Sequence, residues 1–245
     1  FSSPCRTSRT PSNIAVELHD LLQRAEIRPP FILVGHSFGG LVMRRYALLY
    51  PDEVSGVVLI DPMRCEDWPP LDPSKQSQIE LGKRLIRYAV PITFCGLTRL
   101  AVTSAFRHVG KVSSNGKLGG RHVISRITHE VGKMPREVWP VVAAHWSRPS
   151  FYAGVRSHID CIPDTVREMK DAKPIREIPI TVLTPGSAKP LSENCLGRIG
   201  DNVQQVIAPA SEHWIHLDEP DLVIGSIRDM VAAVAVAPET VSVTA

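Results

Sequence analysis

Phe31-Ile32-Leu33-Val34-Gly35-His36-Ser37-Phe38-Gly39-Gly40 decides the reading of this chain. Four apolar residues, two of them β-branched in the run from Ile32 to Val34, suit a buried parallel strand. Leu41 to Tyr50 reads as a helix that Pro51 stops. Between them lies a turn of the form G-x-S-x-G, with Gly35 and Gly39 flanking Ser37. A backbone that turns so sharply demands small residues two places before and two places after the serine, where a side chain is expected to clash. Strain of this kind holds the serine oxygen up at the carboxyl end of the strand. The next backbone N–H, that of Phe38, opens a helix and can donate to a developing oxyanion.

A serine hydroxyl is a poor nucleophile until a base takes its proton. Near the C-terminus, Val203 to Ile207 reads as a short strand. A loop follows, then His213-Trp214-Ile215-His216-Leu217-Asp218-Glu219-Pro220, then a helix from about Asp221 to Val236. With the serine turn, this ending resembles the α/β-hydrolase superfamily, whose last strand, histidine loop and last helix follow the same order. The family's usual Gly-His, aromatic and acidic-Pro signature matches here except that Glu212 replaces the glycine. The resemblance implies that His213 is the base. His216, three residues on, is the competitor. His36 sits beside Ser37 on the strand end and reads as a packed, hydrogen-bonded histidine rather than a base.

The resemblance also implies a carboxylate that orients the histidine. Most of the superfamily places it after the strand before the histidine strand. Here that strand is Ile180 to Thr184, and the following turn, Pro185 to Pro190, holds no Asp or Glu. Some members take the acid from the strand after the nucleophile helix, and here Val57 to Ile60 runs into Asp61-Pro62. The expected order is Ser37, Asp61, His213, with Glu193 and Asp201 as alternative acids.

The same resemblance implies a mostly parallel sheet with flanking helices and a helical cap insertion. The expected core is 1–63 with 176–245, and the expected cap 64–175. Within the cap, Ser74 to Tyr88, Arg121 to Val131, Pro135 to Trp146 and Pro163 to Lys170 read as helices, and 113–120 as loop. Proline clusters at Trp68-Pro69-Pro70 and Asp72-Pro73 mark the exit from the core. Met134, Trp139, Trp146 and Phe151 are candidates to line an acyl or alcohol pocket, or equally to form the cap's own core. A helix from about Ser12 to Ala25 precedes the serine strand. The strands that usually come before it, and the second oxyanion donor, are not in this sequence. The expectation is therefore an N-terminally truncated chain with weak esterase activity, since one lost donor costs about 10²–10³ in turnover.

Composition sets wide bounds. The 245 residues carry 43% hydrophobic and 22% charged side chains and a net charge of +3 with both signs interspersed. On that balance neither nucleic acid nor a membrane is an expected partner. No zinc-type cysteine spacing or phosphate-binding glycine loop is present, so no metal or cofactor is expected. Five scattered cysteines favour a reduced, cytoplasmic setting. The expected activity is a serine hydrolase acting on a small-molecule ester or similar acyl compound. The alternative is a ligand-binding, receptor-like or inactive protein on the same scaffold. An aspartate-nucleophile reaction fits poorly because residue 37 is serine.

Overall fold

The fold is taken from a computed structural model, which describes residues 7–64, 73–108 and 129–236. The proline clusters up to Asp72, the 113–120 loop and the helix expected from Arg121, as far as residue 128, lie outside the described residues. The described residues form two compact units, one of 11–64 with 165–236, the other of 7–10, 73–108 and 129–164.

The first unit is a sandwich of helices around a parallel sheet. Helix α1 (Pro11–Arg24) leads into β1 (Phe31–His36), α2 (Phe38–Leu49) and β2 (Val54–Ile60). Strands β3 (Ile180–Pro185) and β4 (Val203–Ala208) follow later in the chain, and the sheet order is β1-β2-β3-β4, all parallel. Strand β2 is central and its residues alternate between two cores. Val57 and Leu59 pack with Leu33, Ala15, Val42, Tyr46, Ile180 and Val182. Val58 and Ile60 pack with Leu183, Ala208, Ile215, Val223 and Met230. Alternate side chains of one strand thus seal against helices on opposite faces, which is why β2 reads as a continuous apolar run. The sheet must also admit a close approach: a Cβ on Gly56 would sit 2.5 Å from Met230 Sδ.

The second unit is helical. It holds α3 (Pro73–Phe94), α4 (Leu97–His108), α5 (Trp139–Trp146), α6 (Pro149–Asp160) and the start of α7 (Ile162–Lys170). Helix α3 packs along α6, and α4 along α5. The sequence reading ends α3 near Tyr88, but the helix continues through Pro91 to Phe94. The change between units falls within α7, between Asp164 and Thr165, rather than at residue 175. The reason is packing: Met169 is buried beside Leu41, and Glu168 binds the backbone N–H of Ser12 at 2.7 Å and Arg45 at 3.4 Å. A final pair, α8 (Glu193–Ile199) and the short α9 (Ile215–Asp218), with α10 (Pro220–Val236), completes the first unit.

Candidate active site

The serine turn is built by β1 and α2. Ser37 stands between them with φ 53° and ψ −119°, left-handed backbone that a non-glycine residue seldom adopts. Three backbone bonds hold it: Ser37 N–H to Ile60 O at 3.0 Å, and Gly40 N–H and Met63 N–H to Ser37 O at 3.0 and 3.1 Å. Its hydroxyl makes no capping bond to α2, so the oxygen is not engaged in holding the helix. Phe38 opens α2, as the spacing predicts.

The glycines need correcting. A Cβ on Gly35 would lie 2.5 Å from Gly39 O, so that position excludes a side chain. A Cβ on Gly39 would meet nothing within 4 Å, whereas one on Gly40 would lie 2.9 Å from Pro62 Cβ. The crowding is therefore at Gly35 and Gly40. The segment after β2 crosses over the first turn of α2, and Gly40 lets it pass.

Asp61 follows β2, next to β1, and the register pairs His36 with Ile60. The sheet therefore places Ser37 and Asp61 side by side at neighbouring carboxyl ends. Asp61 also has positive φ, 39°, and its N–H donates to Leu183 O at 2.8 Å. His213 lies in the loop between β4 and α9. Its Nδ1 is 2.7 Å from Asp61 Oδ2. A carboxylate accepts, so Nδ1 carries the proton and Nε2 is left as the basic nitrogen. Among the described residues no hydrogen bond joins Ser37 Oγ to His213.

Neither alternative acid reaches this histidine. Glu193 lies in the first turn of α8, and Asp201 Oδ1 accepts from Glu177 N–H at 3.3 Å. His216 lies in α9, its ring 4.7 Å from that of His36 and 5.6 Å from that of Trp214. Met134, Trp139, Trp146 and Phe151 belong to the helical unit, where they meet in two pairs. Trp139 Nε1–H donates to Met134 O at 3.1 Å, and the Trp146 and Phe151 rings are 6.2 Å apart. One small cavity in the sheet unit, about 20 Å³, has Gly40, Leu41, Pro62 and Met63 among its lining residues. None of Ser37, Asp61 and His213 lines it.

Two side-chain groups support the histidine loop. One is His36, whose Nε2 is 2.8 Å from His213 O. A carbonyl can only accept, so Nε2–H donates. The His36 ring also packs 4.6 Å from the His213 ring and 5.2 Å from Trp214. Burial lowers its pKa from 6.5, against the opposing pull of that backbone bond. The other support is the acidic pair before Pro220. Glu219 Oε1 accepts from Ala210 N–H at 2.9 Å and Ser211 Oγ–H at 2.7 Å, and Asp218 Oδ2 accepts from Glu212 N–H at 3.1 Å. The signal for the second was in the sequence, as the acidic-Pro ending.

A family model described as alpha/beta hydrolase fold matches residues 4–88. The solved epoxide hydrolase CorEH superposes with a TM-score of 0.67 at 14% identity, covering 95% of this chain and 78% of that one. A marine microorganism esterase superposes at 0.57 and 14% identity, covering 94% and 80%. The chain has the α/β-hydrolase fold. Among curated proteins, the chain is 34% identical over 61 residues to the uncharacterized protein YqjL of Bacillus subtilis (strain 168), covering 25% of this chain and 24% of YqjL. It is 42% identical over 51 residues to the human (lyso)-N-acylphosphatidylethanolamine lipase, covering 21% of this chain and 14% of the lipase. The matched part therefore spans a quarter or less of these curated relatives.

Among the described residues no group of three or more His, Cys, Asp or Glu side chains is disposed to hold a metal ion.

Proposed function

We infer that this chain is a serine hydrolase of esters or related acyl compounds, with Ser37 as nucleophile, His213 as base and Asp61 as the orienting acid. The observation that carries this reading is the 2.7 Å contact between His213 Nδ1 and Asp61 Oδ2. That contact fixes the tautomer that leaves Nε2 free to take a proton. The strained backbone of Ser37, at the end of the strand beside Asp61, supports the same roles. The lipase among the similar curated proteins is in keeping with acyl chemistry, and a serine at position 37 fits acyl transfer better than a reaction built on an aspartate nucleophile.

The steps follow from these groups. Ser37 Oγ attacks the acyl carbonyl carbon as His213 Nε2 takes the hydroxyl proton. Asp61 stabilises the imidazolium so formed. The Phe38 N–H, at the head of α2, donates to the oxyanion. Collapse breaks the bond to the leaving alcohol, which receives the proton from His213. Water, deprotonated by His213, then attacks the acyl-enzyme and releases the acid, restoring Ser37.

The test is turnover of short p-nitrophenyl esters. The chain should hydrolyse them above the rate of Ser37→Ala. Losing an orienting aspartate costs on the order of 10⁴ where the machinery is complete, so Asp61→Asn should fall to the Ser37→Ala background. If Asp61→Asn keeps its rate while Glu193→Gln or Asp201→Asn loses it, the acid is assigned wrongly.

A further inference from the structure

The net charge of +3 conceals a strong local imbalance. Residues 81–129 contain nine Lys or Arg and no Asp or Glu. The remaining sequence then holds nineteen basic and twenty-five acidic residues, a net of −6. The described part of this basic stretch is the helical hairpin of α3 and α4. The two helices meet at 105° around Gly96, whose φ of +75° makes the turn. Among the described residues no single helix is long and apolar enough to cross a membrane.

One side of the hairpin is already partnered, α3 along α6 and α4 along α5. Thr93 is buried, and Ile86 and Val102 are half-buried. The other side is not covered by the described chain. Tyr88, Ile92, Phe94, Leu97 and Leu100 are 43–76% exposed, concentrated about the bend. On α3 the exposed positions Arg84, Arg87, Tyr88, Pro91 and Ile92 recur at helical spacing and share one face. Arg99 adds a further exposed cation just past the bend. Soluble monomers seldom leave a continuous apolar patch of this kind in water. Large apolar side chains at the tip of a helical hairpin, flanked by arginines and with the nearest carboxylate on α3, Glu80, a turn before Arg84 and paired with Lys83 at 3.1 Å, are the pattern of a surface that settles into a lipid–water boundary. The arginines suit anionic headgroups, which attract each nearby cation.

We propose that the bend between α3 and α4 is a docking surface for a bilayer containing anionic phospholipid. Phe94, Leu97 and Leu100 enter the boundary between headgroups and acyl chains, and Arg84, Arg87 and Arg99 sit among the phosphates. The surface is argued from charge and exposure alone and does not depend on the hydrolase reading. It replaces the expectation, drawn from whole-chain charge, that no membrane is a partner.

Flotation of the full chain with vesicles tests this. The chain should float with vesicles of phosphatidylcholine mixed with phosphatidylserine and weakly, or not at all, with phosphatidylcholine alone. Raising the salt from about 0.1 to about 1 M shortens the screening length about threefold and should release much of it. Each neutralised arginine should weaken binding about fivefold, so Arg84→Gln, Arg87→Gln and Arg99→Gln together should abolish flotation. The corresponding lysine substitutions should preserve it. Phe94→Ser with Leu97→Ser should lower binding at least tenfold while leaving the circular dichroism spectrum and short-ester turnover unchanged. Ser37→Ala should float like the unchanged chain, which separates this surface from the catalytic assignment. Equal flotation with both vesicle types, or none with either, overturns the proposal. So does a dimer in solution that Phe94→Ser with Leu97→Ser converts to monomer, since the face then belongs to a second copy.

Discussion

Ser37 and Asp61 are both non-glycine residues with positive φ, and both stand at the ends of adjacent strands. Such backbone is costly and persists where its surroundings over-determine it. Here the surroundings are three backbone bonds on Ser37 and one from Asp61 to Leu183. His36 contributes from beneath, donating to the His213 carbonyl while its own ring is half-buried. Burial keeps that ring neutral and its folded-state pKa below 6.5. Between that lowered value and about 6.5 the unfolded chain therefore binds more protons than the folded one, and stability falls with falling pH. His158 is lowered in the same direction, so the contribution of His36 is read as a difference. The thermal midpoint of the unchanged chain should decline as pH drops below about 6.5, and His36→Gln, which can still donate to the carbonyl, should decline less. Parallel declines would show that His36 carries no share of the pH dependence.

At the scale of elements, the junction of β1 and α2 is held open by two glycines and not by the pair the motif suggests. Gly35→Ala drives a methyl into the Gly39 carbonyl, and overpacking of this kind typically costs about 1–3 kcal/mol. Gly39→Ala meets open space within a helix, where replacing glycine is worth about 0.5–1 kcal/mol in favour of the fold. Urea denaturation of the two variants should move in opposite directions. Equal destabilisation would mean that the motif, and not local packing, governs both positions.

The four strands were legible in sequence because each is a short β-branched run that a parallel sheet buries. The two elements of the serine turn were legible because strand, turn and helix follow within twenty residues. The helical unit was harder to read. Pro91 suggests a stop, yet α3 runs on to Phe94 with Pro91 on its exposed face. Helices α4 and α6 were not anticipated. The short α8, seven residues capped by Ser192 Oγ accepting from Cys195 N–H at 3.3 Å, was not anticipated either. A helix of that length has no full apolar stripe for a sequence reading to find. The contact of His36 with the His213 loop spans 177 positions, and no local pattern announces it.

The whole molecule divides its labour between a sheet unit that carries the serine, the aspartate and the histidine, and a helical unit that carries the basic, apolar hairpin. The charge asymmetry follows that division, since the stretch without carboxylates begins inside α3. The central claim concerns one oxygen atom, and a fluorophosphonate probe reports on it directly, because such a reagent bonds only to a serine whose proton a base removes. Incubated with the chain, digested and read by mass spectrometry, the probe should appear once, on the peptide containing Ser37. Labelling should vanish in His213→Ala and slow strongly in Asp61→Asn, while His216→Ala labels at the unchanged rate. An unlabelled Ser37 in the folded chain, or labelling that survives His213→Ala and is lost in His216→Ala, would contradict the account.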